Sequence, residues 1–232
     1  MPRFEPFAGI RYDTSAADLA SVIAPPYDVI AEPERAALES GSPYNAVRLE
    51  LPRDETGRDR YQAARALLAS WRAEGVLVQD DEPSFYVYRM GFRDEAGRQR
   101  HTTGVLGAMG LPDGPEADVL PHERTMPKPK DDRLNLLRAT ATNLSPIWGL
   151  SLADGLTDAC AVSGAPDVAA TDADGVTHEL WRVTDPARLD RIGAVVASAP
   201  VVIADGHHRL ETALAYRDEQ RAAGRGAGDH DL

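Results

Sequence analysis

Between Tyr61 and Gly75 the apolar residues Ala64, Leu67, Leu68 and Trp71 recur at intervals of three and four, which places them on one helical face, and Gly75 stands where a C-terminal cap belongs. Shorter helical patterns run over Ser15 to Ile23 and Glu32 to Ser40. Between them, the two prolines of Ala24-Pro25-Pro26-Tyr27-Asp28 force the chain out of helical geometry. Asn45 to Leu51 alternates as a strand does. Ser84 to Arg93 and Arg100 to Leu111 are strand-like runs rich in Tyr, Val, Phe and Thr, and Asp94-Glu95-Ala96-Gly97 between them has the chemistry of a hairpin turn. The aromatic residues Phe85, Tyr86, Tyr88 and Phe92 fit a half-buried sheet, and more weakly a base-stacking surface.

A second unit is predicted after Pro112-Asp113-Gly114-Pro115. Val119-Leu120-Pro121-His122-Glu123 leads through a lysine-bearing loop into a helix over Asp131 to Thr142, with Asp131 and Asp132 favourably placed in its first turn. Ser145 to Leu150 reads as a strand. A short helix, a hairpin around Asp172-Ala173-Asp174-Gly175 and a longer helix from Pro186 to Ala197 follow. Pro200-Val201-Val202-Ile203-Ala204 is a continuous apolar run of the kind buried on both faces, and it passes straight into Asp205-Gly206-His207-His208-Arg209 and a helix from Leu210 to Ala223. The fold class expected is α+β, with an N-terminal α+β domain over 1–118 and a second domain over 119–232. A sheet of this kind usually continues beyond such a helix, so the second domain is expected to be truncated at its C-terminus.

No stretch approaches the ~18 consecutive apolar residues of a membrane helix, and Met1-Pro2-Arg3-Phe4-Glu5 does not open a signal peptide. Cys160 is the only cysteine, which excludes an internal disulfide or cysteine-rich zinc site and fits a reducing compartment. A soluble cytoplasmic protein is therefore expected. The net charge of −12 argues against a nucleic-acid backbone as main partner, because such binding depends on Lys and Arg neutralising phosphates. A nucleotide would need a local basic pocket. The chain's only two lysines, Lys128 and Lys130, stand together in Met126-Pro127-Lys128-Pro129-Lys130 and are candidates for it, or are simply solvated loop residues.

The chemistry concentrates at two places. A helix start offers unpaired amides and the positive end of the dipole to an anion. At Asp205 to Arg209, Gly206 allows close approach, His207 and His208 can donate, Arg209 can grip phosphate through two parallel bonds, and Asp205 can hold magnesium between phosphate oxygens. The same residues also fit a helix capped by Asp205 with exposed first-turn side chains. In Pro121-His122-Glu123-Arg124-Thr125 the carboxylate can act as general base toward an alcohol, with the adjacent lysines neutralising developing charge; a plain polar loop accounts for it as well. Tyr27-Asp28 and Ser42 to Arg48 read chiefly as turns.

Arg3 to Tyr12, Ala24 to Ile30, Ser42 to Arg48, His122-Glu123-Arg124-Thr125 and Asp205 to Arg209 together resemble the bacterial and archaeal family catalogued as domain of unknown function 1015, over essentially the whole chain. More distantly, Pro121-His122-Glu123, the helix from Asp131, Ser145-Pro146-Ile147-Trp148 and Ile203-Ala204-Asp205-Gly206-His207-His208-Arg209 resemble, in the same order, free-serine kinases of the ParB and sulfiredoxin-like superfamily. That resemblance implies a ParB/sulfiredoxin-like mixed α/β fold for the second domain. It implies Glu123 as the base, with His122 beside it, and Asp205, Gly206, His207, His208 and Arg209 as the phosphate and Mg2+ group. Its departures are about fifty residues between the Pro146 strand and Asp205, and a first domain with no counterpart. His207 and His208 also occupy the turn where sulfiredoxins carry a catalytic cysteine. The function expected is phosphoryl transfer from ATP or ADP with magnesium to a small hydroxyl-bearing metabolite. The alternatives are a non-catalytic nucleotide sensor and a metal-dependent hydrolase using His122 and His207.

Overall fold

The structure, a computed structural model, describes residues 1–114, 118–122 and 127–232, with the backbone alone at 127–130. The first half contains β1 (Phe4–Glu5), β2 (Ile10–Tyr12), α1 (Leu19–Val22), α2 (Glu32–Gly41), α3 (Val47–Glu50), α4 (Arg60–Ala73), β3 (Leu77–Gln79), β4 (Phe85–Arg93), β5 (Gln99–Leu106) and β6 (Ala108–Met109). The second contains β7 (Val119–Leu120), α5 (Pro127–Thr140), β8 (Trp148–Ser151), α6 (Leu156–Ala159), β9 (Val168–Thr171), β10 (Thr177–Val183), α7 (Pro186–Ala197), β11 (Val201–Asp205) and α8 (His207–Ala222). A 3₁₀ turn at Asp229–Asp231 follows. The chain is a mixed α/β protein with several small sheets.

Most elements form where the periodicity placed them, for identifiable reasons. In α4 the Asp59 carboxylate caps the Tyr61 and Gln62 N–H groups, the face carrying Ala64, Leu68 and Trp71 is buried, and Gly75 takes the left-handed conformation at φ +76°. The β4–β5 hairpin turns at Asp94, which accepts from the Ala96 and Arg98 N–H groups while Gly97 adopts φ +74°. Three aromatic residues of the stripe have partners within the fold. Phe85 stacks on Phe4 at 4.9 Å, the Tyr86 hydroxyl donates to Asp80, and Tyr88 bonds His178.

Two of the departures from expectation change the packing. Asn45 to Leu51, expected as a strand, turns instead into α3, because Asn45 is buried and its carboxamide replaces ladder partners. Its oxygen accepts from Val47 N–H and its nitrogen donates to the Ser21 and Ile23 carbonyls. Lys128 and Lys130 were expected in a loop, but their backbone lies in the first turn of α5, where Pro127 and Pro129 are tolerated since first-turn N–H groups have no helical acceptor.

β4 pairs β5 on one side and β10 on the other, giving the antiparallel order β5-β4-β10-β9, so strands from either side of residue 118 share one sheet. Phe85, Val87, Trp181 and Val183 from this sheet pack with Ile192 of α7, Ala159 and the buried Cys160, whose thiol is raised by burial. A second core gathers Leu49, Leu68, Trp71, Val76 and Leu77. The third lies under a three-stranded sheet of order β7-β11-β8, where Val119 and Ile203 meet Leu210 of α8. No helix among the described residues is long and apolar enough to cross a membrane.

Several carboxylates are held below their ordinary range: Asp94 by the Arg98 N–H, Asp113 and Glu219 by the Arg221 and Arg138 guanidinium groups, and Asp231 by the Gly228 N–H. Depressed folded-state values mean that their contribution is present above the unfolded values and is lost as pH falls through the folded ones. The thermal midpoint is therefore expected to decline below about pH 4, the ordinary carboxylate range, with 1 M salt reducing the part carried by the exposed Asp113–Arg221 and Glu219–Arg138 pairs. Circular dichroism melts between pH 6 and pH 3 measure it.

Candidate functional site

The site is built at one edge of the three-stranded sheet. β11 runs parallel to β7, with Val201 opposite Val119 and Val202 opposite Leu120, so both strands end on the same side. β8 runs antiparallel, with Trp148 opposite Asp205, which brings its entry segment Ser145-Pro146-Ile147 to that edge too. The carboxyl edge of such strands is where open α/β sheets bind ligands.

At the end of β11 the chain reverses through Gly206 at φ +95°, ψ 30° and enters α8 at His207, earlier than the Leu210 expected. Gly206 is the cap residue and no side chain caps the helix, so Asp205 is not the N-cap. The first helical bond runs from Leu210 N–H to the Gly206 carbonyl, leaving the first-turn N–H groups ahead of the helix's own ladder. Glycine is required here twice over. Its φ is left-handed, and a Cβ would lie 3.0 Å from Arg209 Nε and 3.3 Å from Ile147 Cα.

His207 is buried, while His122, at the end of β7, is exposed. The backbone N–H of His122 donates to His207 Nε2 at 3.4 Å, and the two rings meet edge to face with centroids 4.6 Å apart. Accepting at Nε2 occupies that lone pair. The Pro121-His122 segment and the Asp205 to Arg209 turn, 85 residues apart at their histidines, are thus joined directly.

Arg209 folds back over Gly206. It donates through Nη1 to the Pro146 carbonyl and through Nη2 to Asp205 at 2.5 Å, and its Nε is buried with no acceptor among the described residues. Both arms of the fork thus already carry a protein bond. Asp205 is half-exposed, and Arg209 engages its Oδ2. Among the described residues, no group of three or more His, Cys, Asp or Glu side chains is placed to hold a metal. Glu123 lies outside the described residues, as do the side chains of Lys128 and Lys130.

The structure adds residues that sequence reasoning did not assign. The half-buried Tyr27 ring lies beneath two guanidinium groups, Arg133 at 4.3 Å and Arg209 at 5.9 Å. Arg133 is itself buried and donates to the Glu50 carbonyl at 2.7 Å, to Glu50 Oε2 at 3.4 Å and to Asp132 Oδ2 at 2.6 Å. Burial raises the Glu50 carboxyl above its ordinary range, against the pull of Arg133, a bond from the Ser145 hydroxyl and the nearby Arg209. The proline pair ahead of Tyr27 was the available signal, since it forces an extended loop from which one aromatic ring can insert.

Tyr27 touches Arg133 of α5 and Arg209 of α8, while Arg138 pairs with Glu219 further along both helices. The two helices therefore run side by side in the same direction, and both begin at this edge. Comparison with curated proteins and with solved structures gives no match. A family model matches residues 4–232, and the chain belongs to that family, described as protein of unknown function (DUF1015).

Proposed function

We propose that the chain binds the phosphates of ATP or ADP between the starts of α5 and α8 and transfers a phosphoryl group to a small hydroxyl-bearing metabolite such as free serine. The observation that carries this reading is the convergence of Pro121-His122 with Asp205 to Arg209 at the carboxyl edge of parallel β7 and β11. Two helix starts with aligned dipoles turn their amide ends toward that edge, beside an Arg209 charge that Asp205 already pairs, in a chain of net charge −12. The succession of β7, α5 and β8, with β11 and α8 following after α6, β9, β10 and α7, supports a ParB/sulfiredoxin-like arrangement for the second half, with β9 and β10 inserted into the sheet of β4 and β5.

In this reading Glu123, next to His122, takes the proton of the acceptor hydroxyl. The acceptor oxygen bonds to the terminal phosphorus as the bond to the bridging oxygen breaks, and ADP or AMP leaves. The amides of the first turn of α8, the Arg209 charge and Lys128 and Lys130 at the start of α5 balance the charge on the transferring group. A half-exposed single carboxylate suits magnesium, which keeps most of its waters and uses one or two carboxylates beside phosphate oxygens. Asp205 would hold the ion, which supplies charge neutralisation at the phosphates. A hydrolase with a metal on His122 and His207 fits less well, because His207 Nε2 already accepts the His122 N–H.

The test combines calorimetry with phosphorus NMR. Magnesium with ADP or ATP is expected to raise the thermal midpoint of the wild-type chain, Arg209→Ala to remove most of that rise, and Glu123→Ala to abolish turnover of free serine while nucleotide still binds. Binding without turnover of any hydroxyl-bearing acceptor would favour a nucleotide sensor. Absence of binding to any adenine, cytidine or guanine nucleotide with magnesium would overturn the reading.

A further inference from the structure

The loop between α1 and α2 is exposed at Pro25, Pro26, Asp28 and Val29, yet the Tyr27 ring is half-buried. Its start is pinned from below: Asn45 donates to the Ser21 and Ile23 carbonyls, and Ala46 N–H bonds the Val22 carbonyl. The two prolines then hold the loop extended, and a turn closes from Val29 N–H to the Pro26 carbonyl. The loop thus reaches the second half of the chain through one aromatic side chain.

That side chain meets two guanidinium groups of unlike standing. Arg133 is fixed by Glu50 and Asp132, and its plane covers the Tyr27 ring at 4.3 Å. Arg209 is held through Nη1 by the Pro146 carbonyl and through Nη2 by Asp205, and its buried Nε has no acceptor among the described residues. Arg209 lies over Gly206, and its Cζ stands 5.9 Å from the centroid of the Tyr27 ring, within reach of the ring quadrupole. Two cations on one ring repel each other. The ring quadrupole and the Glu50 carboxylate, close enough to feel both arginines, offset that repulsion.

We propose that Tyr27 is a positioning residue for the anion site: it sets the Arg209 guanidinium beside the start of α8, so that the N-terminal loop is a working part of that site. The inference rests on the nucleotide reading for its ligand and on the Tyr27–Arg209 contact for its geometry. The chemistry requires an aromatic face and not the hydroxyl, so Tyr27→Phe is neutral, whereas Tyr27→Leu fills similar space without a π face.

Isothermal titration of the full chain with magnesium and ADP is expected to give unchanged affinity for Tyr27→Phe and roughly tenfold weaker binding for Tyr27→Leu. In an Arg209→Met background, Tyr27→Leu is expected to cause no further loss, because neighbours acting through one contact are not additive. An equal affinity for Tyr27→Leu and wild type, with only the thermal midpoint lowered, would make Tyr27 a packing residue and overturn the proposal. If wild type binds no nucleotide, the proposed function falls, and the contact is then decided in the ligand-free chain. A urea-unfolding cycle of Tyr27→Leu with Arg209→Met is expected to show at least threefold non-additivity in the unfolding constant; additivity would overturn the inference.

Discussion

Replacing Arg133 by Met is expected to destabilise the chain by about 3–5 kcal/mol in urea unfolding at pH 7, the cost of leaving a buried carboxylate without its partner. Arg133 and Glu50 expose only 8 % and 10 % of their side chains, so solvent screening relieves little of this. The same change removes the hydrogen bond to the Glu50 carbonyl and one of the two cations over Tyr27. The loss should depend on pH. Glu50 is already raised by burial, and removing Arg133 raises it further. The native state then binds a proton more tightly than the unfolded state, so stability relative to wild type rises as pH falls from neutrality toward the ordinary glutamate range. Arg133→Met with Glu50→Gln, which removes the charge along with its partner, should recover most of the loss at pH 7. A loss below about 1 kcal/mol, constant between pH 5 and pH 8, would show that Glu50 finds water or another cation on its own.

The failure to foresee Glu50 and Arg133 has a physical cause. Periodicity reports which face of an element is apolar, and it located α4, the β4–β5 hairpin and the run from β11 into α8. It treats a charged residue as solvent-facing. Glu50 sits in a segment whose alternation suggested a strand, and its burial depends on α5 arriving from more than eighty residues away. Asn45 shows the same limit, since its carboxamide substitutes for a strand ladder only because Ser21 and Ile23 stand beside it. The strand order β5-β4-β10-β9 was also illegible, because nothing local in Thr177 to Val183 names β4 as its neighbour.

The site was legible in proportion to how local it is. Strand, glycine and helix in succession announced the turn at Gly206, and its left-handed backbone follows from sharp reversal into a helix. That His122 would reach His207 depended on β7 pairing parallel to β11, a register that two short strands do not specify by pattern. The proline pair predicted an exposed turn at Tyr27 and could not show which side chains its ring would meet.

Substitution of Gly206 by Ala should have the second largest effect and should report on stability and binding together. The left-handed backbone alone costs about 1–2 kcal/mol for a residue with a Cβ. The added methyl would also sit 3.0 Å from Arg209 Nε and 3.1 Å from Cζ, forcing the guanidinium away from Pro146 and Asp205. Ile147 Cα, at 3.3 Å, is backbone and yields less easily. Gly206→Ala is therefore expected to lose more than the backbone term and to abolish nucleotide-dependent stabilisation as thoroughly as Arg209→Ala. The double variant separates the two causes. With Arg209 truncated, the methyl loses its two nearest contacts, so Gly206→Ala should cost less in the Arg209→Ala background than in wild type. Equal costs in both backgrounds would place the whole penalty in the backbone conformation, and Arg209 would then be free to move without disturbing the start of α8.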